Sequence, residues 1–199
     1  MSYHLTFITG PMFSGKSERL IREIIRNDAQ YYEGKGLVLK PRLDDRDGSF
    51  IKSRALKLQV AAEYAEDYLQ HDDSSELTGH IAKMGYNFVY LDEVQFFTVR
   101  QLKLILSAAR RNGCHVYAAG LSHDFRGTSF ESSSYLTDQA HERVQLRATC
   151  AKCGSLADFT VRYDLHGKVV SSGVRVATKA NYKPACTCCF FESVELRES

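Results

Sequence analysis

Eight consecutive residues near the start of the chain, Gly10-Pro11-Met12-Phe13-Ser14-Gly15-Lys16-Ser17, follow the spacing G-x-x-x-x-G-K-[ST]. That spacing could hold a nucleoside triphosphate. Its glycines let the backbone curl so that successive N–H groups point at phosphate oxygens, and a helix starting there adds partial positive charge. Lys16 would reach the outer phosphates, and Ser17 would offer its hydroxyl to Mg²⁺. The competing reading is a glycine-rich turn that fits by chance. The flanks weigh against it: Leu5-Thr6-Phe7-Ile8-Thr9 reads as a buried strand, and Lys16 to about Ile25 reads as a helix with Leu20, Ile21, Ile24 and Ile25 along one side.

A second constellation follows a short apolar run. Phe88-Val89-Tyr90-Leu91 predicts a strand, and Asp92-Glu93 stands at its end. An Asp in that place can hold the magnesium shell of a phosphate-binding loop. Glu93 faces another way, because consecutive residues alternate in direction along a strand. It could take the proton from whatever attacks the γ-phosphate, either water or a substrate hydroxyl. Alternatively the two carboxylates simply open a helix, where acidic residues are favoured.

The third constellation is Cys150-Ala-Lys-Cys153 with Cys186-Thr-Cys-Cys189. Each C-x-x-C can grip one side of a tetrahedral metal from a tight turn, and zinc with four closed positions would be structural. The 32 residues between the pairs exceed the commonest zinc spacing. A hairpin of Ala157 to Tyr163 and Lys168 to Val176, turning at His166-Gly167, followed by a long loop would fill them. Two disulfides or buried free thiols are the competing readings, and disulfides are uncommon in a reducing compartment. Cys188 is left over, though it could exchange with a ligand, and His123, His141 and His166 are further potential ligands that the set does not need. Cys114 sits in an apolar run and reads as core.

The elements that must position these groups alternate along the chain. Gly36-Leu37-Val38-Leu39-Lys40 predicts a strand, Pro41 to Arg54 a polar loop, and Lys57 to Val60 another short strand. Residues from about Ala61 to Met84 predict helix in pieces. Val99 to Arg111 carries Leu102, Ile105, Leu106 and Ala109 at helical spacing, and its Arg110-Arg111 suits a solvated helix end. Cys114 to Ala119 and Val144 to Ala148 predict strands. This β-α-β rhythm predicts an α/β fold with a mostly parallel sheet covered by helices on both faces. The rhythm stops after Cys150, and no amphipathic helix is predicted beyond it. The expected division is therefore 1–149 for ATP binding and 150–199 for a small zinc domain.

The totals exclude some functions. The chain has 199 residues, 44% of them hydrophobic and 25% charged, with a formal net charge of +2. That suffices for one core and a small appendage. Four zinc-bound thiolates would bring the net charge to zero. Residues 150–199 hold seven Lys or Arg against five Asp or Glu, so a P-loop ATPase with a nucleic-acid-binding zinc ribbon is the weaker reading. No apolar run approaches about 18 residues, and the N-terminus lacks a signal layout. A cytoplasmic protein without membrane or nucleic-acid partners is expected.

Gln95-Phe96-Phe97 completes the run Asp92-Glu93-Val94-Gln95-Phe96-Phe97, which together with Gly10–Ser17 closely resembles the type II, zinc-containing thymidine kinases. Asp44-Asp45-Arg46 resembles the family's D-x-R loop, and Ser53-Arg54 resembles the segment after it. Gly120-Leu121, Asp124-Phe125-Arg126-Gly127 and Phe130 resemble the segment after the fourth strand, and Tyr182 resembles the end of the family's lasso loop. The resemblance runs from about residue 5 to 189. It implies a RecA-like P-loop fold with a zinc ribbon and lasso, and transfer of the ATP γ-phosphate to the 5′-hydroxyl of thymidine or deoxyuridine. Under it Glu93 is the base, and Ser17 and Asp92 hold magnesium. Gly10–Ser17, Asp44, Asp45, Arg46, Asp92 and Gln95 serve ATP. Phe125 stacks on the base and Tyr182 packs against sugar and base, while Met12, Leu121 and Thr160 surround the thymine methyl group. Backbone groups of Val174, Arg175, Val176 and Ala177 read the pyrimidine edge, and Arg54 and Phe130 complete the substrate set. Cys150, Cys153, Cys186 and Cys189 hold zinc. A homotetramer and feedback by deoxythymidine triphosphate are further implications. Plain core packing is the competing role for Phe125, Phe130 and Tyr182, although the polar neighbours of Phe125 argue against a core strand there. Ser122, Ser129 and Ala177-Thr178 depart from the family's usual Asp, Pro and Gly-Gly. The last change predicts a different loop path, or a catalytically altered paralogue, because residues with a Cβ resist close backbone approach.

Overall fold

The computed structural model describes residues 2–30, 36–44, 46–53, 57–70, 73–164, 166–170, 172 and 181–198. In chain order the elements are β1 (His4–Gly10), α1 (Lys16–Gln30), β2 (Gly36–Lys40), β3 (Phe50–Ser53), β4 (Leu58–Ala61) and β5 (Glu63–Tyr64). Then follow α2 (Ser75–Met84), β6 (Phe88–Leu91), α3 (Val99–Arg111), β7 (His115–Leu121), α4 (Glu131–Gln139) and β8 (Glu142–Gln145). The last are β9 (Ala148–Thr149), β10 (Leu156–Ala157), β11 (Phe159–Tyr163), β12 (Asn181–Ala185) and α5 (Thr187–Glu198).

Among the described residues, six strands form one parallel sheet in the order β5-β2-β6-β7-β1-β8. The apolar runs are near-continuous because this sheet is covered on both faces. Alternate side chains of each strand enter opposite layers. Leu5, Phe7, Leu37, Leu39, Val89, Leu91, Val116 and Ala118 pack with Leu77 and Ile81 of α2, Leu102, Ile105 and Leu106 of α3 and Leu136 of α4. Ile8, Val38, Phe88, Tyr90 and Ala119 pack on the other side with Leu20 and Ile24 of α1 and Ile51 of β3. The expected two-faced α/β architecture is thus present. Strand β7 lies between β1 and β6, so the glycine loop and the Asp92-Glu93 pair open on the same carboxyl edge one strand apart.

Helix α3 begins on a reciprocal cap. Thr98 Oγ1 accepts from Gln101 N at 3.1 Å, and Gln101 Oε1 accepts from Thr98 N at 2.9 Å. This cap starts α3 directly after the irregular turn that follows β6.

Four expectations are corrected. The stretch read as a loop from Pro41 to Arg54 contains β3, paired antiparallel with β4. Residues 61–84, read as helix in pieces, hold β5, a 3₁₀ turn Ala65–Tyr68 and only then α2. The strand predicted over Val144 to Ala148 is split between β8 and β9. Beyond Cys150 a helix does form, α5, and its Phe190 is buried with the ring stacked on Phe159 at 4.4 Å. The turn at His166-Gly167 is present, with Asp164 N donating to Lys168 O and Val170 N to Arg162 O, both at 2.9 Å, and Tyr163 bridges Val169 antiparallel. Residues 171 and 173–176 of the expected second strand lie outside the described residues, and β11 also pairs antiparallel with β12.

Candidate phosphoryl-transfer site and metal centre

The glycine loop is held by its own atoms. Ser14 Oγ and Lys16 Nζ both donate to Pro11 O, at 2.9 and 2.6 Å. A Cβ at Gly10 would lie 2.3 Å from Leu146 O, so only glycine lets β1 end beside that carbonyl. Phe13, two-thirds exposed, holds φ at 65°, the left-handed turn that curls the amides inward. Burial pulls the Lys16 ammonium down to about 8, against the raising effect of Glu93 and Asp92.

The loop meets the carboxylates through Ser17. Its hydroxyl donates to both Asp92 oxygens, at 3.3 and 3.1 Å, and Asp92 N donates to Leu39 O at 3.1 Å. Asp92 is buried, and that burial, followed by the charge of Glu93, pushes its carboxyl up to about 7. Hydroxyl and carboxylate together make an oxygen donor pair suited to magnesium, whose positive charge would favour the ionised carboxylate.

Glu93 stands at φ 51° and ψ 44°, a left-handed conformation rare outside glycine. Both its carboxylate oxygens are engaged: Arg46 Nη2 donates to Oε1 and Gln95 Nε2 donates to Oε2. Gln95 in turn accepts at Oε1 from Leu121 N, 2.9 Å away. Arg46 is fixed from behind, with Nε donating to Asp44 Oδ1 at 2.6 Å. Asp44 is buried, which raises its carboxyl, yet Arg46 and Lys40 outweigh that and hold it below the ordinary carboxylate range.

On the far side of the loop, Met12 N donates to Thr160 Oγ1 of β11 at 3.0 Å. Leu121, Phe125, Phe130 and Tyr182 are all buried; Leu121 stands opposite Gly10 in the sheet and Tyr182 opposite Arg162 of β11. Phe125 is 1% exposed, covered by the guanidinium groups of Arg126 and Arg162 at 5.5 and 5.3 Å. It lies in a turn and in no strand, as its polar neighbours suggest, yet it is buried. Asp124 explains this: it accepts from the amides of Arg126 and Thr128 and from the Arg126 side chain, folding a tight turn that tucks the ring inward. Asp45, Arg54 and Val174 to Ala177 lie outside the described residues.

The four predicted cysteine ligands come together: the Sγ atoms of Cys150, Cys153, Cys186 and Cys189 lie within 4.8 Å of one another. Gly154, at φ 77°, turns the chain after the first pair, and its N donates to Cys150 O at 3.0 Å. The second pair opens α5. Burial raises the Cys150 thiol, but backbone N–H groups of Cys186, Cys153 and Lys152 prevail and bring it down to about 6. The Cys189 thiol is instead pushed up, by burial and by the neighbouring sulfurs. Four sulfurs this close together fit a tetrahedral soft cation, whose charge would favour the thiolates. Cys188 is exposed and outside the set.

Lys40 and Arg162 were not singled out from sequence, and Asp124 entered only within the run Asp124-Phe125-Arg126-Gly127, with no role of its own. A readable sign of Lys40 was a cation ending an apolar strand with an acid four residues on. No motif marks Arg162.

A glycine loop between β1 and α1 with a carboxylate pair one strand away defines the P-loop class of nucleotide-using phosphotransferases. The family model described as "Thymidine kinase" matches residues 3–190. A thymidine kinase of Ureaplasma urealyticum serovar 10 is 32% identical over 187 residues, covering 92% of this chain and 80% of that protein. The chain belongs to the thymidine kinase family. Among the described residues, no helix is long and apolar enough to cross a membrane.

Proposed function

We propose that the chain transfers the γ-phosphate of ATP to the 5′-hydroxyl of thymidine, with Glu93 as the base. The 5′-oxygen attacks the γ-phosphorus, its proton passes to Glu93, the bond to the β,γ-bridging oxygen breaks, and ADP leaves. Ser17 and Asp92 would hold Mg²⁺, which neutralises charge on the transferring group when bound. Lys16 would turn from Pro11 O to the phosphates. Arg46, paired with Glu93 in this structure, would turn to phosphate as substrate enters and free the carboxylate.

The reading is supported most by one juxtaposition within a thymidine kinase family chain: Ser17 Oγ lies 3.1 Å from Asp92, with Glu93 the next residue. That brings a phosphate loop and a proton acceptor to one edge of the sheet.

For the nucleoside, Met12, Leu121 and Thr160 would surround the thymine methyl group. Phe125 and Tyr182 would face base and sugar, and Arg54, Phe130 and the Val174, Arg175, Val176 and Ala177 backbone would complete the pocket. Gly10–Ser17, Asp44, Asp45, Arg46 and Gln95 would serve ATP. Residues 1–149 would be the ATP unit and 150–199 the zinc and lasso unit. Zinc on Cys150, Cys153, Cys186 and Cys189 would tie the two ends of the substrate-covering segment and suits a reducing, cytoplasmic setting. A homotetramer is part of the same proposal. So is feedback by deoxythymidine triphosphate, which carries both the base and the triphosphate that this site would recognise.

The test is to incubate the zinc-replete protein and Mg-ATP with thymidine, deoxyuridine and deoxycytidine separately. Monophosphate should form fastest from thymidine, with deoxyuridine second. ATP consumption that is equal with and without nucleoside would contradict the proposal.

A further inference from the structure

Lys40 ends β2 with its side chain 1% exposed, a cation shut away from water. Burying an ammonium is costly unless every donor finds a partner. Here Nζ meets Asp44 Oδ2 at 3.0 Å, Gly48 O at 2.9 Å and Phe50 O at 3.3 Å. The chain after β2 is therefore gathered around one charge. Asp44 spends its other oxygen, Oδ1, on Arg46 Nε, and the guanidinium continues to Glu93.

We infer that Lys40 is a positioning residue for phosphoryl transfer: it anchors Asp44, which aims Arg46 at Glu93 and at the phosphates. This rests on the roles proposed for Arg46 and Glu93. The logic is geometric. Arg46 comes from the loop after β2 and Glu93 from the turn after β6, and those strands are neighbours. The strands hold the backbones in register, but the loop needs an internal anchor to hold a long side chain in one orientation. A neutral residue at position 40 would leave Asp44 buried with a single partner and the Gly48 and Phe50 carbonyls without this donor. The guanidinium would then sample several orientations. Misplacing a group in the transition state by about 1 Å costs on the order of a hundredfold in rate.

The experiment is a double-mutant cycle on the full chain with Mg-ATP and thymidine. Lys40→Met should lower kcat by on the order of tenfold to a hundredfold, with the thymidine KM held within about twofold, since Lys40 is offered no part in nucleoside binding. Lys40→Arg, which keeps the charge, should restore part of the loss. In an Arg46→Ala background, Lys40→Met should change kcat by less than about twofold, because residues acting as one unit are not additive. A merely structural role would multiply the two losses instead. Should Lys40→Met not fold, Lys40→Gln takes its place with the same expectations. The inference is overturned if the Lys40 variants keep kcat within twofold of the parent, or if their loss multiplies fully with that of Arg46→Ala. If Arg46→Ala and Glu93→Gln themselves leave turnover intact, the site reading fails first and this inference with it. If those two abolish turnover and Lys40→Met does not, only the inference about Lys40 fails.

Discussion

The amide of Met12 donates to the hydroxyl of Thr160 at 3.0 Å across 148 residues of chain. This bond ties the phosphate loop to β11, the strand that also carries Arg162 over the ring of Phe125. The proposed ATP site and the proposed nucleoside site thus share a physical link, because Met12 and Thr160 are both assigned to the methyl pocket and Met12 lies within the glycine loop.

Thr160→Val keeps the branched shape favoured in a strand but removes the acceptor, leaving a part-buried amide unpaired. We expect a loss of about 1–2 kcal/mol in unfolding free energy, measured by denaturant titration. The thymidine KM should rise more than the ATP KM. Equal stability and unchanged KM values would mean that the bond carries no weight.

Gly120 sits under the Glu93 turn. A Cβ there would lie 2.7 Å from Gln95 Oε1 and 2.4 Å from Val94 Cγ2. Gly120→Ala should push that turn aside, lowering kcat by on the order of tenfold or more while ATP binding, read by calorimetry, changes far less. Parent-like kcat would show that the placement of Gln95 is immaterial.

Much of this site was legible in the sequence because backbone chemistry wrote it there. Gly10 and Gly15 are needed for the loop geometry, the apolar run 88–91 ends in two carboxylates, and C-x-x-C pairs leave few structural alternatives. What was illegible depends on long-range partners. Strand β3 hides in a charge-rich stretch because only Ile51 and Ser53 face inward, while Phe50 and Lys52 face out. Helix α5 has no apolar stripe and is fixed by Cys186, Cys189 and the Phe190–Phe159 stack. The polar neighbours of Phe125 spoke against a strand, and there is none, but they gave no sign of the Asp124 turn that buries the ring. Lys40 looked like an ordinary strand end until Asp44 folded back upon it.

The nucleotide-free protein should bind ATP with a pH dependence on the alkaline side. Lys16 is brought down to about 8 by burial, so in the free protein it loses its proton as pH rises through that value. Phosphate favours the charged form and raises the pKa on binding, so binding takes up a proton above pH 8. Affinity should therefore weaken from pH 7.5 to pH 9, and Lys16→Arg should flatten the trend. A flat profile in the parent protein would contradict the placement of Lys16.

The metal centre makes a separate demand. Metal analysis should find one zinc per chain, lost in Cys153→Ser. Removing zinc with a strong chelator should lower the unfolding midpoint, because binding energy at a four-thiolate site is folding energy. The thymidine KM should rise more than ATP affinity falls. Protein that carries no zinc, or whose unfolding is indifferent to the chelator, would contradict the zinc assignment.

The most direct test of the whole account is Glu93→Gln, which keeps the shape of the side chain and removes the proton acceptor. Single-turnover formation of thymidine monophosphate from Mg-ATP should fall by on the order of a hundredfold to ten-thousandfold, with ATP affinity within a few-fold of the parent. Turnover that survives the substitution unchanged would contradict the assignment of Glu93 as the base, and with it the mechanism built on this edge of the sheet.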